Sequence, residues 1–318
     1  MKEILIIKTG YSEVLDNSNN SKKTSFGDVL RTTCLLHYYK NDNITWVSDE
    51  SAFPLLKGNK YINRLLHLDF SNSMHLLDEE FDVLINLEKN IDICKFAKKI
   101  DSAFKYGFRF DKKTNSTEAY DRAFEVLAIG CDPIAKKKNK KFLQELLFEM
   151  VGEKFNKEEY ILGYVPKEKE KYDICLNTFV GEKWPLKSWP KENWNNLEEK
   201  LSKNGFNVSR QDKQPKNILT NLYDYIDWIN SSSTIVTNDS LGLHLGIVLK
   251  KNVLGLFGPT PHKEIYFYDR GKAILPDPSP DCLPCSEFKC EKNKSCIEKI
   301  SVDRVYNETN NLVNLSHI

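Results

Sequence analysis

The sequence has no long hydrophobic run. Its first apolar stretch, Ile4-Leu5-Ile6-Ile7, is too short for a signal peptide, and no run approaches the ~18 apolar residues that span a membrane. We therefore expect a cytoplasmic protein.

The sequence also lacks a strong charge of one sign and two familiar nucleotide motifs. Its formal net charge is +1, which disfavours a dedicated nucleic-acid binder. No Gly-x-Gly-x-x-Gly follows a predicted strand, and no Gly-x-x-x-x-Gly-Lys-Ser/Thr occurs. A nicotinamide enzyme and a P-loop phosphotransferase are both disfavoured.

What is present is the composition of a globular protein, with 40% hydrophobic and 29% charged residues in a chain of 318. That length suits two domains. Short β-rich runs alternate with helical patterns in both halves, which is typical of βαβ units and a parallel sheet. Predicted strands are Ile4–Lys8, Ile44–Ser48, Asp82–Leu87, Phe104–Phe108, Ile174–Asn177, Phe206–Ser209, Thr234–Thr237 and Val253–Phe257.

The predicted architecture is α/β, with two Rossmann-like parallel-sheet domains that face a central cleft containing the active site. Residues 1–155 would form one domain and 156–318 the other, with the last helix packing back on the first. Predicted helices include Asp28–Tyr39, Leu241–Lys250 and one after Pro190 whose apolar face is Trp194, Leu197 and Leu201.

A basic run, Lys136 to Lys141, lies in the polar stretch before the second domain. A solvated face explains such a run. Contact with an anionic membrane surface or acceptor is the alternative.

The first candidate motif is Ser25-Phe26-Gly27-Asp28, at the start of the first helix. Ser25-x-x-Asp28 fits a capping box. Asp28 also fits a general base, since a carboxylate at a helix start stays ionised and can accept a proton.

Three further motifs follow strands of the second half. Lys187, in Lys183-Trp184-Pro185-Leu186-Lys187-Ser188-Trp189-Pro190, is either a surface lysine or a charge aimed at a diphosphate. The segment Asn238-Asp239-Ser240-Leu241-Gly242-Leu243-His244 is either an ordinary capped helix start or an anion site. Gly258-Pro259-Thr260 by itself marks a tight turn.

The order of these motifs resembles the heptosyltransferase family of glycosyltransferases, family 9. The resemblance runs from Ile4 to about Ile300 and includes Pro54-Leu55-Leu56 with Tyr61-Ile62-Asn63-Arg64. It implies a GT-B fold and an inverting transfer that needs no cofactor. The implied donor is a nucleotide diphosphate sugar, with ADP-heptose favoured, and the acceptor is a glycan, a lipid-linked glycan as in the lipopolysaccharide core, or a protein.

The resemblance also implies residue roles. Asp28 matches the catalytic aspartate and Lys187 the lysine at the donor phosphates. Ser240, Leu241 and Gly242 match the segment that holds the pyrophosphate, with Asp239 and His244 beside it. Gly258, Pro259 and Thr260 complete the predicted donor site.

This chain departs from the family pattern in two places. The family reads Asp-Ser-Gly-x-x-His, whereas the glycine here, Gly242, stands one place later. Residues 11–24 are inserted before the Gly-Asp motif, and this polar stretch is expected to be either disordered or a lid over the acceptor. Its place beside the proposed base suggests an acceptor that differs from the standard inner core.

Four cysteines, Cys282, Cys285, Cys290 and Cys296, cluster near the C-terminus. In a reducing cytoplasm their spacing favours a structural metal, zinc or iron, over a disulfide, with free thiols as the alternative. Some protein-directed heptosyltransferases hold iron in this region.

Two other functions remain open from the sequence. A nucleotide-sugar 2-epimerase shares the fold and diphosphate site, and a sugar-nucleotide sensor or assembly module would bind donor without consuming it. Asp28 and Lys187 together favour the transferase.

Overall fold

The computed structural model describes residues 1–11, 24–181, 184–215, 221–287, 289–292 and 295–315. These residues form two compact units, Met1–Tyr164 and Val165–Ile318. The inserted segment, apart from Tyr11 and Thr24, lies outside the described residues, as does Lys183.

The first unit is built on a six-stranded sheet in the order β3-β2-β1-β4-β5-β6. Strands β1 to β5 are parallel, and β6 runs antiparallel to β5. Its strands are β1 (Glu3–Ile7), β2 (Asn43–Ser48), β3 (Arg64–His67), β4 (Glu80–Asn86), β5 (Asp101–Asp111) and β6 (Ser116–Ala119). Its helices are α1 (Phe26–Thr32), α2 (Phe53–Leu56), α3 (Phe70–Leu77), α4 (Ile91–Lys99), α5 (Phe124–Cys131), α6 (Pro133–Lys138) and α7 (Leu143–Met150).

The predicted first helix is shorter than expected. The α-helix ends at Thr32, and a 3₁₀ helix, Thr33–His37, follows it. The hydroxyls of Thr32 and Thr33 donate to the carbonyls of Val29 and Leu30, so they compete locally with regular helical bonding.

The second unit is an all-parallel sheet of five strands in the order β11-β10-β9-β7-β8. The strands are β7 (Tyr172–Asn177), β8 (Val208–Arg210), β9 (Ser232–Asn238), β10 (Asn252–Leu256) and β11 (Gly271–Ile274). The helices are α8 (Lys191–Lys203), α9 (Leu222–Asn230), α10 (Leu241–Val248) and α11 (Val302–Leu315).

The apolar face predicted for α8 is the face that packs. Trp194, Leu197 and Leu201 are buried in the core of the second unit, each stabilising it by about 1.5–3 kcal/mol. Gly205 follows the helix with a φ of +88°, the left-handed conformation that favours glycine. Helix α11 packs against α8, β9 and β10 of the same unit.

Each sheet has one point where the strand order reverses: between β1 and β4 in the first unit, and between β7 and β9 in the second. At this point the loops that follow the two neighbouring strands lead in opposite directions. This opens a crevice at the carboxyl ends of the strands, where ligands of such sheets bind. The predicted parallel sheets are confirmed. Within the described ranges, no helix is long and apolar enough to cross a membrane.

Candidate active site

A network of buried polar groups lies at the reversal point of the second unit. Asn177, at the end of β7, donates from Nδ2 to Thr237 Oγ1 (2.7 Å) and to Ser240 Oγ (3.0 Å). Its Oδ1 accepts from the hydroxyl of Tyr225 (2.8 Å). Asn177 therefore ties the end of β7 to the loop between β9 and α10.

Gly242, in the first turn of α10, packs directly against this network. A Cβ at this position would lie 2.2 Å from Asn177 Nδ2 and 2.7 Å from the hydroxyl oxygen of Tyr225. Only glycine allows this approach, which gives a physical reason for its place in this chain.

Lys187 lies in a short 3₁₀ helix, Pro185–Lys187, after β7, and its charge is paired. Its Nζ is 2.8 Å from Asp239 Oδ2 and 5.5 Å from the centre of the Trp184 ring. Thr260 Oγ1 donates to the same carboxylate oxygen (2.6 Å). The pair is largely buried, with 15% of the Lys187 side chain and 11% of the Asp239 side chain exposed.

The backbone that follows Lys187 is held by Asn238. Its Oδ1 accepts from the Trp189 N–H (3.1 Å), and its Nδ2 donates to the carbonyl of Thr178 (2.9 Å). Lys187 is therefore a fixed residue of the strand-end crevice rather than a mobile surface lysine.

The electrostatic environment keeps Asp239 ionised. Burial alone would raise its pKa, but the charge and hydrogen bond of Lys187, with smaller contributions from Thr260 and His244, leave the pKa below its ordinary value. His244 lies on α10 and is buried, so it lowers the Asp239 pKa from inside the protein.

Helix α10 begins next to this pair. Ser240 is its N-cap, but the Ser240 side chain makes no capping hydrogen bond and instead accepts from Asn177. The first N–H groups of a helix have no carbonyl partner within it, and they carry a partial positive charge. A lysine ammonium beside a helix start is an arrangement typical of anion sites, and here the ammonium is also paired with Asp239.

The Gly258-Pro259-Thr260 turn connects this site to the cysteine segment. The Ser286 N–H donates to the Pro259 carbonyl (2.9 Å). A Cβ on Gly258 would lie 3.2 Å from Cys296 Sγ. The cysteine segment therefore supports one wall of the candidate donor site.

The four clustered cysteines are free thiols of intermediate exposure. Burial, followed by the neighbouring Cys285, Cys282 and Cys290, raises the pKa of Cys296 to about 11. Among the described side chains, no group of three or more His, Cys, Asp or Glu residues is arranged to hold a metal ion. The four-thiolate metal site stays a prediction.

Asp28 occupies the first turn of α1 in the first unit, after the carboxyl end of β1. Its Oδ1 lies 3.8 Å from an Arg31 guanidinium nitrogen, and 15% of its side chain is exposed. Ser25 is the N-cap, but its side chain makes no capping hydrogen bond. The capping-box interpretation is wrong, and the Asp28 side chain is about as buried as those of Lys187 and Asp239.

Polar residues that sequence reasoning missed surround the end of β1. Lys8 Nζ and Glu88 Oε1 form an almost fully buried ion pair (3.2 Å). The Tyr11 hydroxyl donates to Asp49, which follows β2. A signal existed for both residues, because Lys8 ends the predicted strand Ile4–Lys8 and Glu88 directly follows the predicted strand Asp82–Leu87. The carboxyl ends of such parallel strands meet at one edge of the sheet.

Comparisons with known proteins agree on one family. Residues 209–295 match the sequence model of glycosyltransferase family 9 (heptosyltransferase). Over 84 residues the chain is 30% identical to lipooligosaccharide heptosyltransferase 2 of Campylobacter jejuni subsp. jejuni serotype O:2. That match spans 26% of this chain and 26% of the relative.

Two solved structures share the fold over the whole chain. A family 9 glycosyl transferase from Veillonella parvula has a TM-score of 0.68 and 17% identity, with 99% of this chain and 97% of the other covered. The ADP-heptose lipopolysaccharide heptosyltransferase II of E. coli has a TM-score of 0.66 and 14% identity, with both chains covered completely.

Proposed function

We propose that this chain, which belongs to glycosyltransferase family 9, transfers a sugar from a nucleotide diphosphate to an acceptor hydroxyl with inversion at the anomeric carbon. One observation carries the proposal: Lys187, Asp239 and the start of α10 converge at the reversal point of the second sheet.

The convergence suits a diphosphate for electrostatic reasons. A lysine ammonium and the N-terminus of a helix each favour a phosphate anion, and here both lie in a largely buried crevice where water screens them weakly. Asp239 holds Lys187 in place before the donor binds. Ser240, Leu241 and Gly242 would present backbone N–H groups to the pyrophosphate, while Thr260 donates to the Asp239 oxygen that also contacts Lys187.

We take ADP-heptose as the donor. Support comes from the relatives: the C. jejuni protein is a heptosyltransferase, and the E. coli structure is of an ADP-heptose transferase. The acceptor in this proposal is a hydroxyl of a lipopolysaccharide core or a related glycan.

The proposed reaction is a direct displacement. Asp28 accepts the proton of the attacking acceptor hydroxyl as the new glycosidic bond forms, and the bond between the anomeric carbon and the diphosphate breaks. Negative charge then develops on the leaving diphosphate, where Lys187 and the start of α10 stabilise it. The residues named for catalysis use no metal or cofactor.

We also propose that the protein works in the cytoplasm and contacts an anionic membrane surface through α6. Lys137, Lys138 and Lys140 are exposed beside Ile134, which is 63% exposed, so the surface offers both charge and an apolar contact. Sedimentation with phosphatidylglycerol vesicles but not phosphatidylcholine vesicles would support this contact, and loss of it in Lys137→Glu/Lys138→Glu would locate it.

A structural zinc or iron at the four cysteines is proposed as a stabiliser of the Gly258–Thr260 turn. The thiols fit such a metal by chemistry, since soft thiolates are its preferred ligands, but Cys296 must first lose a proton. Elemental analysis of purified protein decides the point. A metal present at one equivalent and absent from Cys282→Ser/Cys285→Ser would support it, and metal-free wild type would refute it.

The donor site is tested by calorimetric titration of ADP, UDP, GDP and CMP. We expect selective ADP binding that weakens about ten- to hundredfold in Lys187→Ala, since a hydrogen bond to a charged group contributes about 1.5–3 kcal/mol. The matched control is Lys203→Ala in the same unit, because Lys203 pairs with Glu199 on the exposed face of α8.

Each outcome discriminates between functions. Selective UDP or GDP binding would overturn the ADP-heptose assignment while keeping the transferase. Binding of donor with no turnover in the presence of candidate acceptors would favour a sensor. Absence of nucleotide binding would refute the donor site.

A further inference from the structure

Glu88 bridges the gap that opens at the reversal point of the first sheet. Strands β1 and β4 are paired as far as Ile7 and Asn86, and the Leu87 N–H donates to the Ile7 carbonyl (3.0 Å). Beyond that pairing, the Glu88 carboxylate reaches across to the segment that follows β1. Its Oε1 accepts from the Gly10 N–H (2.8 Å) and lies 3.2 Å from Lys8 Nζ.

This bridge is deeply buried. The side chain of Glu88 is 1% exposed and that of Lys8 is 8% exposed. A buried carboxylate is tolerated only when it is paired and hydrogen-bonded. Lys8 and Gly10 pair with Oε1, whereas Oε2 is buried with no hydrogen-bond partner among the described residues. The geometry of Gly10 is therefore set by a charged side chain from another strand.

Gly10 in turn holds the start of α1. Its carbonyl accepts from the Ser25 N–H (2.8 Å), and the Ser25 carbonyl accepts from the Val29 N–H (3.2 Å). Gly10 has a φ of +80°, and a Cβ there would lie 2.8 Å from Val29 Cγ2 and 2.9 Å from the Ser25 carbonyl oxygen. The turn is thus packed tightly against the first turn of the helix that carries Asp28.

We infer that Glu88 is a positioning residue for Asp28. Its carboxylate fixes Gly10, Gly10 fixes Ser25, and Ser25 sets the first turn of α1. The inference rests on the proposed function, in which Asp28 is the general base. An error of about 1 Å in such a group can slow a reaction by roughly a hundredfold.

The test compares two double variants, Glu88→Gln/Lys8→Met and Glu88→Ala/Lys8→Met. Both lack the buried charges, but only glutamine keeps a carbonyl oxygen that can accept from the Gly10 N–H. The control is Leu76→Ala, which removes a buried side chain of α3 from the core of the same unit and leaves the Gly10 bridge intact.

Two readouts are made on the full chain. The first is kcat and KM for ADP-heptose consumption with water as acceptor, followed as ADP release. The second is hydrogen–deuterium exchange of a peptide covering residues 24–32, which contains the Ser25 and Val29 amides.

We expect kcat in the alanine double variant to lie about ten- to hundredfold below that of the glutamine double variant, with the donor KM unchanged. We also expect faster exchange of the 24–32 peptide in the alanine double variant alone. Leu76→Ala should lower the unfolding temperature without changing kcat or that peptide's exchange.

Equal kcat and equal exchange in the two double variants would overturn the positioning role. Slow turnover shared by the alanine double variant and Leu76→Ala would also overturn it, because loss of stability would then explain the effect. If the wild type bound no ADP, the proposed donor site would fail; if it bound ADP but released none from ADP-heptose with water, the exchange comparison would decide whether Glu88 holds α1.

Discussion

Each unit places a carboxylate beside a cation at the start of a helix, and the two pairs are held very differently. Asp239 lies 2.8 Å from Lys187 and also accepts from Thr260, whereas Asp28 lies 3.8 Å from Arg31. A hydrogen-bonded ion pair of the first kind is fixed and stays ionised. The 3.8 Å contact is too long for a hydrogen bond, so it constrains Asp28 less than the first pair constrains Asp239.

The difference assigns opposite tasks to similar residues. A general base must accept a proton during the reaction and therefore needs access to it. A counterion must keep its charge throughout, since its use is to orient a neighbouring cation. Under the proposed function Asp28 takes the first task and Asp239 the second, although both follow a strand of a parallel sheet.

Among the variants that test this comparison, Asp28→Asn is expected to have the largest effect, a loss of kcat. The amide keeps the shape of the carboxylate but cannot act as a base, so kcat should fall by about 10²–10⁴-fold. ADP affinity and unfolding temperature should change little. The measurement is steady-state turnover of ADP-heptose with ADP calorimetry on the same samples.

A matched control for that variant is Asp132→Asn, at the N-cap of α6. It removes a helix-start carboxylate of the same unit and should leave kcat intact. Wild-type turnover in Asp28→Asn would instead show that the longer ion pair is only structural.

Asp239→Asn should have the opposite profile. It leaves the largely buried Lys187 without its carboxylate, and breaking a buried pair costs about 3–5 kcal/mol. We expect a clear fall in the free energy of unfolding by denaturant titration and a fall in kcat far smaller than in Asp28→Asn. If kcat fell as far as in Asp28→Asn, the division of tasks between the two carboxylates would be wrong.

Gly242→Ala tests whether the Asn177 network of the second unit supports ADP binding. The added methyl would overlap Asn177 Nδ2, which is fully buried and cannot move aside freely. We expect a loss of about 1–3 kcal/mol in stability, together with weaker ADP binding as Ser240 loses its partner. Gly181→Ala is the control, since a Cβ there meets no atom within 4 Å. Equal ADP affinities in the two variants would contradict the proposed role of the Asn177 network.

Sequence patterns were sufficient to predict the buried parallel strands, which recur in both units. The runs around Ile4, Ile44 and Val253 are apolar and short, so they predicted buried parallel strands that the structure contains. Strand β3 was missed because Arg64-Leu65-Leu66-His67 is a brief edge strand with little apolar pattern. The end of the first helix was missed because the Thr32 and Thr33 hydroxyls decide it locally.

The candidate site was predictable only where a motif lies in one segment. Asp28, Lys187 and Ser240 each follow a strand, so their positions at a sheet edge could be anticipated. The partners that give them a chemical role come from distant segments. Thr260 joins Asp239 from the end of another strand, and Glu88 joins Gly10 across the sheet. Such pairings depend on strand order, which no single segment encodes.

Acidification should produce the smallest effect, and its sign follows from the lowered pKa of Asp239. The unfolded chain takes up a proton near the ordinary value of 3.8, whereas the folded protein does so only at lower pH. The stabilisation is therefore complete above about pH 5 and is lost as the pH falls below 3.8 and through the folded-state pKa. The difference in unfolding free energy between wild type and Asp239→Asn should shrink over that window, by at most about 1.4 kcal/mol per pH unit. Denaturant titrations from pH 7 to pH 3 measure it, and a difference that stayed constant would mean that Lys187 does not hold Asp239 ionised.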